Sequence, residues 1–278
     1  CTALESVEIS DSVTSIGSAA FSDCTALKSL EIPGNVNTID GWAFSDCTGL
    51  TEIVISDGVK SIGKSAFSGC VALESVTIPS SVTTMGEYIF QGCTNLESVV
   101  FSEGIKETGV STFSGCTSLK SISFPKSMTT IGDNAFSGCT SLERINIPGN
   151  VTTIGWSAFA GCTILNSVTL SEGLKALLGS AFKDCTSLEN IKMPDSVTDI
   201  GESVFYGCGN LKTVELNDNI TTIRKYFFGG CTGLVEFEIP ENVTTIEREA
   251  FANCANLSSL TIPQKSISID TSAFDGTA

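Results

Sequence analysis

Apolar and polar positions along this chain recur with one period. Leucine returns every 23 residues in twelve copies, from Leu4, Leu27 and Leu50 through to Leu257. Three residues after each leucine stands Val, Ile, Leu or Phe, as at Val7, Leu30, Ile53 and Val76. Two further on is another apolar residue, as at Ile9, Ile32, Ile55 and Ile78. A step of two is the period of a strand with one buried face. Each repeat is therefore predicted to carry a short strand, for example Ser6 to Ile9, Ser29 to Ile32 and Ser75 to Ile78. All seven prolines, from Pro33 to Pro263, occupy the next position. Proline cannot donate to a ladder, so it marks the strand's end. A polar turn follows, then two apolar residues three apart (Val13 and Ile16, Val82 and Met85, Val243 and Ile246). This segment is read as extended, forming a second, shorter ladder. A glycine such as Gly17, Gly63 or Gly86 usually closes it, and an Ala-Phe pair leads on to cysteine. That last step is predicted to be a tight helical turn.

A strict period of this length predicts a solenoid, in which no coil buries its apolar face alone and its neighbours do so. The prediction is about twelve coils of 23 residues. Phenylalanine recurs twelve times, from Phe21 to Phe274, and should stack as a column in the core. All twelve cysteines share one register, from Cys1 to Cys254. Coils of a parallel sheet repeat at about 4.8 Å, so neighbouring cysteines lie within bridging reach. One cysteine at one place in each coil nevertheless argues for a ladder of buried free thiols acting as small hydrophobes. The pattern frays at Thr108, Phe227 and Ser266, and Thr277 stands where a cysteine is due. No linker or low-complexity tract interrupts residues 1–278, which are expected to form one solenoid domain. The chain starts in mid-repeat and neither end carries a recognisable cap, which suggests a segment of a longer array.

The run Leu-x-x-Val-x-Ile-Pro-x-Ser-Val-Thr-x-Ile-Gly-x-x-Ala-Phe-x-Gly-Cys resembles the BspA-like, Treponema pallidum-type leucine-rich repeat. Leu73 to Met85 with Phe90 to Cys93 carries it, as does Leu142 to Cys162. The resemblance extends over essentially the whole chain. It implies a leucine-rich repeat solenoid with a concave parallel β-sheet, and short extended segments and helical turns on its other sides. It also implies a secreted or cell-surface protein, adhesin-like, with protein or glycan ligands. The motif specifies scaffold residues only, so no functional residue follows from it, and fold alone does not give function.

Composition narrows the chemistry. The formal charge is −16, from 31 acids against 15 bases, which disfavours nucleic acid as a partner. No apolar stretch is long enough for membrane insertion. Histidine is absent, and with it the commonest general base and transition-metal ligand. Gly63-Lys64-Ser65 lacks the upstream glycine of a phosphate loop. Glu5 with Glu8, Glu236 with Glu238, Asp57 and Asp195 lack calcium-loop spacing and read as a solvated acidic surface. Neither an enzyme nor a cofactor is implied.

Candidate binding residues are those the repeat does not dictate. On the outward side of the strands these are Glu8, Glu31, Glu52, Arg144, Lys192, Glu215, Glu236 and Glu238, among small residues and two valines, Val54 and Val100. Solenoids commonly bind partners across such a face. The plainer reading is a solvated sheet surface. Trp42, Tyr88 and Tyr226 share the position before the Ala-Phe pair, and Trp156 is one residue off it. They mark a partner surface on the flank, or else lie flat over the neighbouring coil. Asn150, Asn219 and Asn242, in the turn after the strand, and Asn256 head Asn-x-Thr/Ser sequons and are candidate N-glycosylation sites. The function expected is a non-enzymatic recognition scaffold. The alternative is a structural protein that assembles with itself into a filament or surface layer.

Overall fold

The computed structural model describes residues 1–278. It divides into two compact units, residues 1–142 and residues 143–278. Both are built from the same parallel β-coil. In the first unit the longer strands are Ser29–Ile32, Glu52–Ile55, Ser75–Ile78, Ser98–Phe101 and Ser121–Ser123. Its two-residue strands are Ser15–Ile16, Thr38–Ile39, Ser61–Ile62, Thr84–Met85 and Thr130–Ile131. In the second unit the longer strands are Arg144–Ile147, Ser167–Leu170, Asn190–Lys192, Thr213–Glu215, Glu236–Glu238 and Ser259–Thr261. Its short ones run from Thr153–Ile154 to Ser268–Ile269. Pairing follows the 23-residue period: Ser29 lies beside Glu52, Leu30 beside Ile53, and Arg144 beside Ser167. Along Ser29–Ile32 and Glu52–Ile55 exposed and buried residues alternate, so the period of two reads out directly as an outer and an inner face.

Two expectations need correction. The strand predicted over Ser6 to Ile9 does not form, and the longer series begins at Ser29–Ile32. Val7 and Ile9 are half-buried, where their counterparts Leu30 and Ile32 are buried. Eleven longer strands result, not twelve. The Ala-Phe segment is not helical either; the structure contains no helix. Its backbone N–H groups instead point alternately within the coil and along the stack. Ala20, Ser22 and Cys24 donate to the carbonyls three residues back (3.2, 3.2 and 3.3 Å). Ala19, Phe21 and Asp23 donate to Gly41, Ala43 and Ser45 of the next coil (3.0, 2.8 and 2.9 Å). A helix would keep all these donors to itself and leave the face of the next coil unpaired. The alternation is enforced by left-handed residues. One stands two before the phenylalanine (Trp42, φ 57°; Tyr88, φ 59°; Ser157, φ 53°), the other just before the cysteine (Asp46, φ 58°; Gly69, φ 74°; Gly138, φ 73°). The second position is held by Gly, Asp or Asn throughout, the residues that tolerate this conformation.

The core is a set of columns. In the first unit Phe21, Phe44, Phe67, Phe90, Phe113 and Phe136 stack with centroids 5.2 to 5.6 Å apart and planes within 8°. In the second unit the spacing opens to 6.1 Å and 6.0 Å on either side of Phe205. There the extra ring of Phe227, in an alanine slot, is fully buried and meets Phe228 edge-on at 4.7 Å. The cysteines are free, and all but Cys1 are buried. Cys70 Sγ donates to the carbonyl of Phe44 at 3.3 Å and Cys208 Sγ to that of Phe182 at 3.1 Å; the same bond recurs from coil to coil. Each thiol thus fills a small slot and satisfies a buried carbonyl. Burial pushes the thiols up, to about 11 at Cys47 and about 12 at Cys116 and Cys208.

The irregularity at Thr108 also has a local cause. This buried residue replaces an apolar one, and its hydroxyl accepts the Gly132 N–H at 2.9 Å. Thr112 donates to the Thr108 carbonyl. The short strand of that coil shrinks to a single bridge between Glu107 and Thr130.

Candidate functional site: the outward strand face and the turn flank

The outward side chains of the longer strands are exposed in both units. In residues 1–142 Glu31 and Val54 are register partners, as are Ser29 and Glu52. Thr77 lies beside Val100, and Val54 and Val100 are 46% and 55% exposed. Glu8 is exposed outside any strand. A shallow depression of about 420 Å³ is lined by Glu74, Ser75, Asn95, Glu97, Ser98 and Ser118. In residues 143–278 the face is more charged. Lys192 pairs with Glu215 at 2.9 Å, and Lys212 with Glu189 at 3.0 Å. Such exposed pairs contribute little to stability; their effect is to pattern the surface. Lys212, Thr213, Glu236, Glu238, Ser259 and Thr261 help line a depression of about 330 Å³. Arg144 stands beside Ser167 on the same face of this unit. Eight charged candidates are thus on the surface, but only Lys192 and Glu215 among them pair with each other.

The aromatic candidates divide. Trp42 is 47% exposed on a left-handed residue. Tyr88 is half-buried, with Lys64 Nζ 5.0 Å from its ring centroid while Lys64 pairs with Glu87 at 2.9 Å. Trp156, 46% exposed, lies against the next coil, where a Cβ on Gly179 would come within 2.1 Å of its ring. Tyr226 has a guanidinium over it, Arg248 Cζ at 5.5 Å, and donates its hydroxyl to Glu249 at 3.1 Å. Sequence reading missed Tyr206. It takes a slot held by serine in several other coils, is 36% exposed, and would come within 2.9 Å of a Cβ on Gly229. Lys183 Nζ sits 5.3 Å from its ring, and Tyr226 meets it edge-on at 6.2 Å. The legible signal is a glycine one coil beyond the aromatic residue, at Gly179 for Trp156 and Gly229 for Tyr206.

The sequon asparagines have structural work. Asn219 donates its side-chain amide to Asp195 O at 2.7 Å, Asn242 to Asp218 O at 2.9 Å, and Asn256 to Thr232 O at 2.8 Å. All three are exposed, and Asn150 is half-buried. Each of the three bonds is a clasp onto the coil before. Where serine holds the turn position of Asn219 and Asn242, the clasp runs differently. Ser81, Ser127 and Ser196 hydroxyls accept the N–H of Gly58, Gly104 and Gly173 at 2.8, 2.9 and 2.9 Å. Those glycines have φ of 119°, 125° and 115°. Glu103 and Glu172 complete the joint. Glu103 accepts the N–H of Lys126 and Ser127 (3.1 and 3.0 Å), and Glu172 those of Asp195 and Ser196 (both 3.0 Å). These backbone donors hold both carboxyls below their ordinary value.

Known proteins place this architecture. The BspA type leucine rich repeat region matches in six copies over residues 1–102, 43–166 and 157–278, and the chain belongs to that family. It is similar to a leucine-rich repeat protein from Bacteroides ovatus, with 31% identity and a TM-score of 0.73, over 95% of this chain and 80% of that one. It is also similar to a leucine-rich cell surface protein from Faecalibacterium prausnitzii, with 32% identity and a TM-score of 0.63, over 95% and 80% of the two chains. A leucine-rich repeat protein from Eubacterium ventriosum shares the fold at 23% identity, with a TM-score of 0.60, over 91% and 83%. No curated protein matches the sequence. No helix is long and apolar enough to cross a membrane.

Proposed function

We propose that the chain is a non-enzymatic, adhesin-like scaffold, displayed on or outside a cell, that binds protein partners on the outward face of its longer strands. One observation carries this. On that face the repeat departs from its small polar residues, at Glu52, Val54, Val100, Arg144, Lys192, Glu236 and Glu238, where neither core packing nor backbone hydrogen bonding constrains the side chain. The relative from Faecalibacterium prausnitzii is a cell surface protein, which supports the location. The test is surface plasmon resonance against purified host-matrix proteins. Val54→Glu with Val100→Glu, or Glu236→Lys with Glu238→Lys, should weaken binding at least tenfold while leaving the far-UV circular dichroism unchanged. Binding indifferent to both pairs would refute the assignment. Self-assembly through the coils is the rival, and regular fibres in negative-stain electron microscopy would favour it over a discrete scaffold.

A further inference from the structure

The turn flank of residues 143–278 carries a group of side chains that neither the core nor the outward strand face accounts for. Tyr206 lies over Gly229 and meets Tyr226 edge-on. With Ser180, Ser203 and Lys183 they line a depression of about 360 Å³. Ser180 and Ser203 stand at the left-handed position of their coils (φ 57° at each), where other coils place Trp42 or Tyr88. Two small hydroxyl residues therefore leave the space that Tyr206 and Tyr226 enclose. Lys183 makes no ion pair and rests on the Tyr206 ring. No carboxylate lines this depression, in a chain whose net charge is −16.

We propose that this flank is a second binding site, for a carboxylate-bearing glycan. Aromatic side chains offer an apolar body with a polar tip, which suits a sugar ring whose C–H face is apolar and whose edge carries hydroxyls. The Ser180 and Ser203 hydroxyls supply donors and acceptors around the ring edge; the Tyr226 hydroxyl is engaged by Glu249 and Arg248, so that residue contributes its ring. The Lys183 ammonium supplies a mobile cation for the carboxylate. The depression is small and open, the scale of one or two sugar rings and too small to enclose a folded partner's loop. This site is separate from the outward strand face and does not depend on the function proposed for it.

The test is calorimetric titration of the intact chain with sialyllactose and a hyaluronan tetrasaccharide, using lactose, cellotetraose and a poly-glutamate peptide as comparison probes. At least one acidic sugar should bind with a millimolar or tighter dissociation constant, at least tenfold tighter than either neutral sugar. Tyr206→Ala and Lys183→Ala should each weaken it fivefold or more. Tyr206→Phe keeps the ring over Gly229 and should bind within twofold of the parent. Val54→Glu, on the outward strand face, should leave acidic-sugar binding within twofold of the parent, whatever it does to partner binding on that face. No binding of either acidic sugar overturns the proposal, as does equal binding by Tyr206→Ala. Preferential binding of the peptide overturns the assignment to a glycan.

Discussion

Replacing Phe67 with alanine tests the column on which the coils are stacked. The ring is fully buried, with Phe44 at 5.4 Å and 2° on one side and Phe90 at 5.5 Å and 7° on the other. Removing it from a closed core forfeits roughly 1.5–3 kcal/mol of transfer free energy. Two ring contacts and a cavity that the flanking coils close only in part raise the expected total to about 3–5 kcal/mol. Phe21 provides the internal control, since it is half-buried and has one ring neighbour in the column, Phe44. Phe21→Ala should cost clearly less. Urea unfolding followed by far-UV circular dichroism measures both. Stability in such arrays is a sum of coil and interface terms, so Phe67→Ala should also lower the slope of the transition by uncoupling the coils beside it. A cost at Phe67 below about 1 kcal/mol, well under the range for such truncations, would refute the reasoning. So would equality with Phe21→Ala.

Three further outcomes follow from particular contacts. Thr108→Val keeps the shape but strands the Gly132 N–H, and should destabilise by about 1–3 kcal/mol in the same assay; a neutral result would mean that the hydroxyl is dispensable. Glu103→Gln with Glu172→Gln should lower the melting temperature at neutral pH. Because the folded carboxyls titrate below their ordinary value of 4.5, their contribution is complete above that value and disappears as pH falls through the depressed folded one. Parent and variant melting curves should therefore converge in acid, and a gap that persists there would count against the carboxylate clasp. At pH 8 a thiol reagent should label one cysteine per native chain, Cys1, and all twelve in denaturant; fast labelling of several native thiols would contradict the closed ladder.

The coil and its contents were legible because each column repeats one residue type in one register. Leu27, Phe44, Cys47 and Ile55 could be placed inside from spacing alone, as could Glu31 and Val54 outside. The predicted helical turn failed because apolar spacing says nothing about the sign of φ. A clue was present in the unbroken Gly, Asp or Asn before cysteine. The other left-handed position gave none, since Trp42, Tyr88 and Glu249 occupy it against their intrinsic preference and the neighbouring coils hold them there. Spacing marked Asn219 and Asn242 as sequon residues but did not show their part in the fold, where their amides clasp the coil before. Tyr206 was missed because its meaning lies in Gly229, a coil away.

The serine–glycine clasps carry a consequence for how such a chain can lengthen or shorten. Gly58, Gly104 and Gly173 each belong to a coil without proline, and each is held by a serine from the proline-bearing coil that follows. A Cβ on Gly58 would stand 2.0 Å from the Gly34 carbonyl, so the coil behind it is fixed as well. Removing one glycine-bearing coil of 23 residues, such as that of Gly58, would set two proline-bearing turns against each other and leave the serine clasp without its partner. Removing a matched pair would restore every contact. At these joints the heritable module is a dyad of unlike coils, and gain or loss of sequence there is expected in steps of two.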